Sequence, residues 1–97
     1  MAHFFVVEYR DIGTPEGREA NRLDHIAYRK ELGAALPLAG PLLDDTGNSV
    51  GSLVIVAAED RADAERIATA DPFVAAKVLE LVSVRPYRIA AMKPPVG

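Results

Sequence analysis

The chain has 97 residues, enough for one domain spanning residues 1–97 that buries about two-thirds of its unfolded surface. Apolar residues make up 49% and charged residues 26%, a globular balance that excludes a disordered or fibrous chain. A net charge of −3 argues against a nucleic-acid partner, and the absence of cysteine excludes disulfides, a thiolate nucleophile and thiolate-ligated metal.

The first strand is expected over His3 to Tyr9, where Phe4, Phe5, Val6 and Val7 give aromatic and β-branched density. Asp11 to Pro15 reads as a loop. Thr14 is placed to cap a helix whose first residue is Pro15, where a missing N–H costs nothing. That helix runs to about Leu32 and ends near Gly33. Leu36 to Leu43 contains Pro37 and Pro41, which confine it to an edge or bulged strand. Asp44 to Asn48 is a turn, and Gly51 to Ala58 is the strongest strand of the chain. Asp60 and Asp63 have the spacing of a capping box, with Asp in place of the usual Glu, and open a helix over Arg61 to Ala70. Asp71-Pro72 interrupts that helix, and a short helical turn follows over Phe73 to Val78. A last strand is expected from about Glu80 to Ala90, broken at Pro86, with Lys93-Pro94-Pro95 as a tail.

The order β-α-β-β-α-β is the split βαβ pattern of the α+β class: a ferredoxin-like antiparallel four-stranded sheet with both helices on one face. A sheet with water on its other face should alternate apolar and polar residues, and neither Leu53 to Ala58 nor Phe4 to Val7 does so. Both faces call for burial. A second copy packed sheet to sheet, as in a homodimer, would cover the open face; a C-terminal segment folded over it is the alternative. The longest apolar run falls far short of the ~20 residues needed to span a bilayer, and no signal-peptide layout opens the chain. A cytoplasmic protein without a membrane partner is expected.

Few residues can carry chemistry. His3 reads as an incidental exposed residue. His25 shares one side of the first helix with Tyr28, Arg29, Leu32 and Leu36, while Leu23, Ile26, Ala27 and Ala34 form an apolar stripe on the other. The pattern does not decide which stripe meets the sheet. Asp71 before Pro72 is a helix cap, yet with Ala64, Ile67 and Ala68 it also falls at inward-facing spacing, where a carboxylate needs a cationic or donor partner. The two roles are compatible. Gly40-Pro41 could bring bare backbone to a ligand or form a turn or bulge. Arg85 and Arg88, flanking Pro86-Tyr87, could hold an anionic substrate or form a solvated strand face. There is no phosphate-cradling glycine pattern and no compact metal-ligand spacing, so neither a metal nor another cofactor is expected.

Four local patterns in this order carry a resemblance: His25-Ile26-Ala27-Tyr28, Ala39-Gly40-Pro41-Leu42, Ala70-Asp71-Pro72-Phe73 and Ser83-Val84-Arg85-Pro86-Tyr87. From about Phe4 to Ile89 the chain resembles the YCII-related domain family, the YciI-like proteins of the dimeric α+β-barrel group. The resemblance implies a ferredoxin-like dimer whose sheets pack into a barrel, with a cleft in each subunit. It also implies an active centre formed by a His–Asp pair, here His25 and Asp71. Many members are labelled as enzymes without an assigned reaction, and some relatives act on small cyclic or aromatic compounds. The stretch from His25 to Gly40 is slightly shorter than usual, with Gly33-Ala34-Ala35 where a longer helix end is common.

Two functions are compatible with this sequence. In the first, an enzyme, His25 acts as general acid/base on a small ligand and Asp71 fixes its tautomer. Isomerisation, elimination or hydrolysis of a small cyclic or aromatic compound would follow, with Tyr28, Gly40, Pro41, Ser52 and Arg85 as candidate substrate contacts. In the second, the cleft of a dimeric binding or accessory module holds a ligand without catalysis, and the His–Asp contact is structural. A cofactor-free monooxygenase is a third reading, by fold analogy alone.

Overall fold

Residues 3–94 are described by a computed structural model; Pro95 of the expected tail lies outside them. The elements are β1 (His3–Asp11), α1 (Pro15–Leu32), a 3₁₀ turn (Gly33–Ala35), β2 (Leu38–Leu43), β3 (Ser49–Ala58), α2 (Arg61–Thr69), α3 (Pro72–Ala75) and β4 (Leu79–Tyr87). The strands form one sheet in the order β2-β3-β1-β4, every neighbouring pair antiparallel. This is the ferredoxin-like α+β arrangement. No helix among the described residues is long and apolar enough to cross a membrane.

The helix starts follow from the capping residues. Thr14 accepts a hydrogen bond from the Gly17 N–H at 3.0 Å, with Pro15 in the first helical position. At α2, Asp60 accepts from the Asp63 N–H at 2.8 Å while Asp63 accepts from the N–H of Glu59, the residue before the cap, at 3.0 Å, a variant of the capping box built from two aspartates. β2 is an edge strand carrying Pro41, with a register shift between Leu42 and Leu43. The expected break at Pro86 does not occur. Pro86 pairs opposite Phe5 and β4 continues to Tyr87, because an edge strand has one side on which a missing N–H forfeits no ladder bond.

The core lies on one face of the sheet. Phe5, Val7 and Tyr9 of β1, Val54, Val56 and Ala58 of β3 and Val84 of β4 meet Ala64, Ile67 and Ala68 of α2, together with Phe73, Val78 and Leu79. By contrast, α1 contributes no fully buried residue across its 18 positions, and its Leu23 is 74% exposed. The half-buried side of α1 is the one carrying Arg18, Asn21, His25, Tyr28, Arg29 and Leu32. Thus the stripe with the polar residues faces inward, and α1 rests mainly on α3 and the 3₁₀ turn rather than on the strands. A helix held away from the sheet by α3 leaves a cleft beneath it.

On the opposite face, Phe4 pairs with Ala57 and Tyr87, and Leu38 pairs with Ile55. Leu38 and Tyr87 are about half exposed, whereas Ile55 is buried. Ile89, Ala91 and Met92 come alongside Pro37, Leu38, Ile55 and Tyr87, so the segment after β4 borders part of this face.

Candidate active site

Asp71 terminates the α2–α3 connection with Pro72 in the first position of α3, and its Oδ1 accepts from the Phe73 N–H at 2.9 Å. The same carboxylate faces α1, where His25 Nδ1 lies 2.8 Å from each of its oxygens. Arg29, one turn further along α1, donates from Nε to Oδ2 at 3.3 Å. Asp71 is therefore at once a helix cap and the partner of two α1 side chains. Burial alone would push its carboxyl up. The hydrogen bonds from His25 and Phe73, with the charge of Arg29 and that of His25 whenever its ring is protonated, outweigh that and hold it below the usual carboxylate value.

An ionised carboxylate only accepts hydrogen bonds, so Nδ1 of His25 carries the proton, and in the neutral ring Nε2 holds the lone pair. The imidazole is also fixed in plane. It stacks on the Phe73 ring with centroids 3.9 Å apart and planes 5° from parallel. A hydrogen bond at one nitrogen and a parallel ring beneath leave little rotation in the side chain.

Two tyrosines anchor the scaffold behind this pair. Tyr9 donates its hydroxyl to the Ala68 carbonyl at 2.7 Å and Tyr28 to the Ile67 carbonyl at 2.8 Å, satisfying carbonyls in the last turn of α2. Burial, reinforced by the charge of Asp71, raises both phenols above their ordinary value, so both remain proton donors at neutral pH.

The cleft measures about 290 Å³, at the small end for ligand sites and suited to a one-ring molecule. His25, Arg29, Arg18 and Phe73 form one side, and Gly40, Pro41, Gly51 and Ser52 of β2 and β3 contribute to its lining. Ser52 Oγ donates to the Gly40 carbonyl at 3.3 Å. Gly51 has a steric reason to be glycine, since a Cβ there would collide with the Tyr9 carbonyl oxygen. A second polar group closes one end: Arg18 pairs with Asp11 at 3.1 Å, and Ser49 donates to Asp11 at 2.7 Å. The Arg18 guanidinium carbon lies 5.3 Å from the centroid of the Phe73 ring.

Of the residues singled out from sequence, the structure brings His25, Asp71, Gly40, Pro41 and Ser52 to this region. Tyr28 is not among the cleft-lining residues, its hydroxyl being spent on Ile67. Arg85 pairs opposite Val6 on the face turned away from the helices, because it is one residue out of phase with the buried Val84. Sequence reasoning misses Arg18, Asp11, Ser49 and Phe73 as cleft residues. Arg18 sits seven positions before His25 on the same helix face, a spacing legible once the inward stripe is known. Among the described residues no three His, Cys, Asp or Glu side chains gather as a metal-ligand set.

The family model of the YCII-related domain matches residues 1–88. Among solved structures, 5-chloro-2-hydroxyhydroquinone dehydrochlorinase (TftG) from Burkholderia phenoliruptrix AC1100, in complex with 2,5-dihydroxybenzoquinone, is similar with a TM-score of 0.68 and 27% identity, covering 88% of this chain and 91% of that one. No curated protein matches the chain in sequence.

Proposed function

The chain belongs to the YCII-related domain family, and from that premise we propose that it is a cofactor-independent enzyme acting on a small hydroxylated ring, with His25 as general acid/base and Asp71 as its orienting partner. The observation that carries this reading is the fixed imidazole at the cleft wall, with Nδ1 on Asp71, the ring on Phe73 and Nε2 without a protein partner among the described residues. A side chain held in this way is positioned for proton transfer before the ligand arrives. The substrate class comes from the similar dehydrochlorinase and its bound dihydroxybenzoquinone, and the small cleft agrees with a single ring.

In the proposed elimination, an O–H or acidic C–H bond of the ring breaks toward Nε2 of His25. The ring reacts in its keto tautomer, in which the carbon bearing the leaving group is saturated: the pair from the broken bond forms a C=O or C=C bond, the adjacent double bond shifts, and the leaving group departs with its bonding pair. The imidazolium that results stands against the Asp71 carboxylate, which lowers the cost of forming it. The test is turnover of 5-chloro-2-hydroxyhydroquinone followed by chloride release. A positioned general base contributes about 10²–10⁴-fold, so His25→Asn and His25→Ala should each lose about that factor while retaining the folded circular-dichroism spectrum. Activity retained in either variant overturns the mechanism, and an inactive wild type overturns the substrate class.

The same reading includes a homodimer formed by the sheet face opposite the helices, where Phe4, Leu38 and Tyr87 are exposed.

A further inference from the structure

Tyr28 stands three residues after His25 on the half-buried side of α1, and its hydroxyl donates to the Ile67 carbonyl at 2.8 Å. Among the described residues this is the one side-chain hydrogen bond that joins α1 to α2. Its origin is local. α2 ends at Thr69, so the carbonyls of its last turn lose the N–H groups that a longer helix would supply. For Ala68 the donor four residues on would be Pro72, which has no N–H. Tyr9 of β1 supplies that donor at 2.7 Å, and Tyr28 supplies the one for Ile67. One phenol thus ties the end of α2 to the sheet and the other ties it to α1. Asp71 follows directly on this end.

The tie to α1 matters because that helix has no fully buried residue to fix its position over α3. Asp71, meanwhile, has two claimants on α1. His25 Nδ1 lies 2.8 Å from each carboxylate oxygen, whereas Arg29 reaches Oδ2 alone, through Nε, at 3.3 Å. A guanidinium beside a carboxylate pairs best through two parallel N–H···O bonds, so Arg29 is held short of its strongest geometry. A small slide or roll of α1 would give Asp71 to Arg29 and release the imidazole. His25, Tyr28 and Arg29 share little more than one turn of the helix, so the Tyr28 tie sets which of the two holds the carboxylate. The tie is uncharged and acts alike on the neutral and the protonated imidazole.

We propose that Tyr28 is a positioning residue of the site, its bond to the Ile67 carbonyl holding α1 where His25 rather than Arg29 takes Asp71. The proposal rests on the acid/base reading of His25. Tyr28 acts through that residue, since it does not line the cleft.

The experiment removes one oxygen at a time, in Tyr28→Phe and Tyr9→Phe, and follows the His25 Nδ1–H by proton NMR together with Tm. In the wild type this proton should give a downfield signal, protected from exchange by Asp71. Tyr28→Phe should speed its exchange about two- to tenfold, the factor for one ordinary hydrogen bond. Tyr9→Phe orphans the carbonyl of the buried Ala68 and should lower Tm further, yet leave that exchange unchanged. Adding Arg29→Gln to Tyr28→Phe removes the competitor and should return the exchange toward the wild-type rate. In turnover, Tyr28→Phe should lower kcat and leave KM nearly unchanged. An unchanged signal in Tyr28→Phe, exchange that merely follows Tm in both variants, or a double variant that exchanges as fast as Tyr28→Phe overturns the proposal. A raised KM at unchanged kcat does so too, by making Tyr28 a ligand contact. The NMR readout needs no turnover, so the two ideas fail separately. An unprotected Nδ1–H in the wild type removes the His25–Asp71 pair and the proposal with it, whereas a protected one that Tyr28→Phe leaves alone removes only the positioning role.

Discussion

Asp71 is 2% exposed and yet ionised, because three donors converge on it: His25 Nδ1, Arg29 Nε and the Phe73 N–H. Its carboxyl titrates lower in the folded chain than in the unfolded one. The stability it contributes is therefore present above the unfolded carboxylate value, near pH ~4, and is lost as pH falls through the lower folded value. Asp71→Asn should cost about 1–3 kcal/mol at neutral pH, the range for a disrupted buried hydrogen-bond group. The gap between variant and wild type should close as the solution is acidified below pH ~4, measured by urea unfolding from pH 7 to 3. Asp44 and Asp63 also titrate low, but they do so in both proteins, so the difference isolates Asp71. Curves that stay parallel would show that the carboxylate charge contributes nothing. At this scale the sequence exposes both roles of Asp71, cap and partner, because each follows from spacing. It does not show that one carboxylate fills both, since that depends on how α1 crosses α3.

Among the elements, α3 matters most for its size. It is one turn long, closed at its start by Asp71 and Pro72 and at its end by a pair of backbone bonds, Lys77 N–H to the Val74 carbonyl at 3.1 Å and Val78 N–H to the Phe73 carbonyl at 2.8 Å. This is the Schellman arrangement, and it places Lys77 at φ 58, where glycine is usual. Lys77 is exposed. Lys77→Gly should therefore stabilise the fold by about 0.5–1 kcal/mol, raising Tm by a few degrees, roughly 2–6 °C for a domain of this size. A lower Tm would mean that the entropy gained by an unfolded glycine exceeds the relief of strain. The caps of α1 and α2 are legible because each is a local side-chain pattern, Thr14 with Pro15 and Asp60 with Asp63. The continuity of β4 through Pro86 is not, because tolerance of proline depends on being an edge strand, and strand order is a property of the whole sheet.

For the molecule as a whole, the βαββαβ order is readable from alternating apolar runs and turn residues, and the sheet order follows the ferredoxin-like pattern that this order implies. The orientation of α1 is not readable, because its two faces carry comparable apolar content and only contact with α3 distinguishes them. The unalternated runs in β1 and β3 find one half of their explanation in the core, and their other half shares the far side of the sheet with Leu38 of β2 and Tyr87 of β4, where Phe4, Leu38 and Tyr87 are exposed. The proposed pairing through that side predicts a dimer mass by light scattering for the wild type and a monomer for Leu38→Glu. A monomeric wild type at tens of micromolar would remove the pairing and leave the segment after β4 as the cover of that face.

The 18-residue α1 supplies His25, Arg18 and Arg29 to the cleft but no fully buried residue to the interior. The core and the cationic side of the cleft thus lie largely on separate stretches of chain: β1, β3 and α2 supply most of the interior, while α1 supplies Arg18, His25 and Arg29 to a cleft that β2, β3 and α3 also line. Substitutions along α1 can alter recognition at little expense to the interior. A single architecture can in this way diversify its ligands by drift along one helix, leaving the packing of the strands untouched.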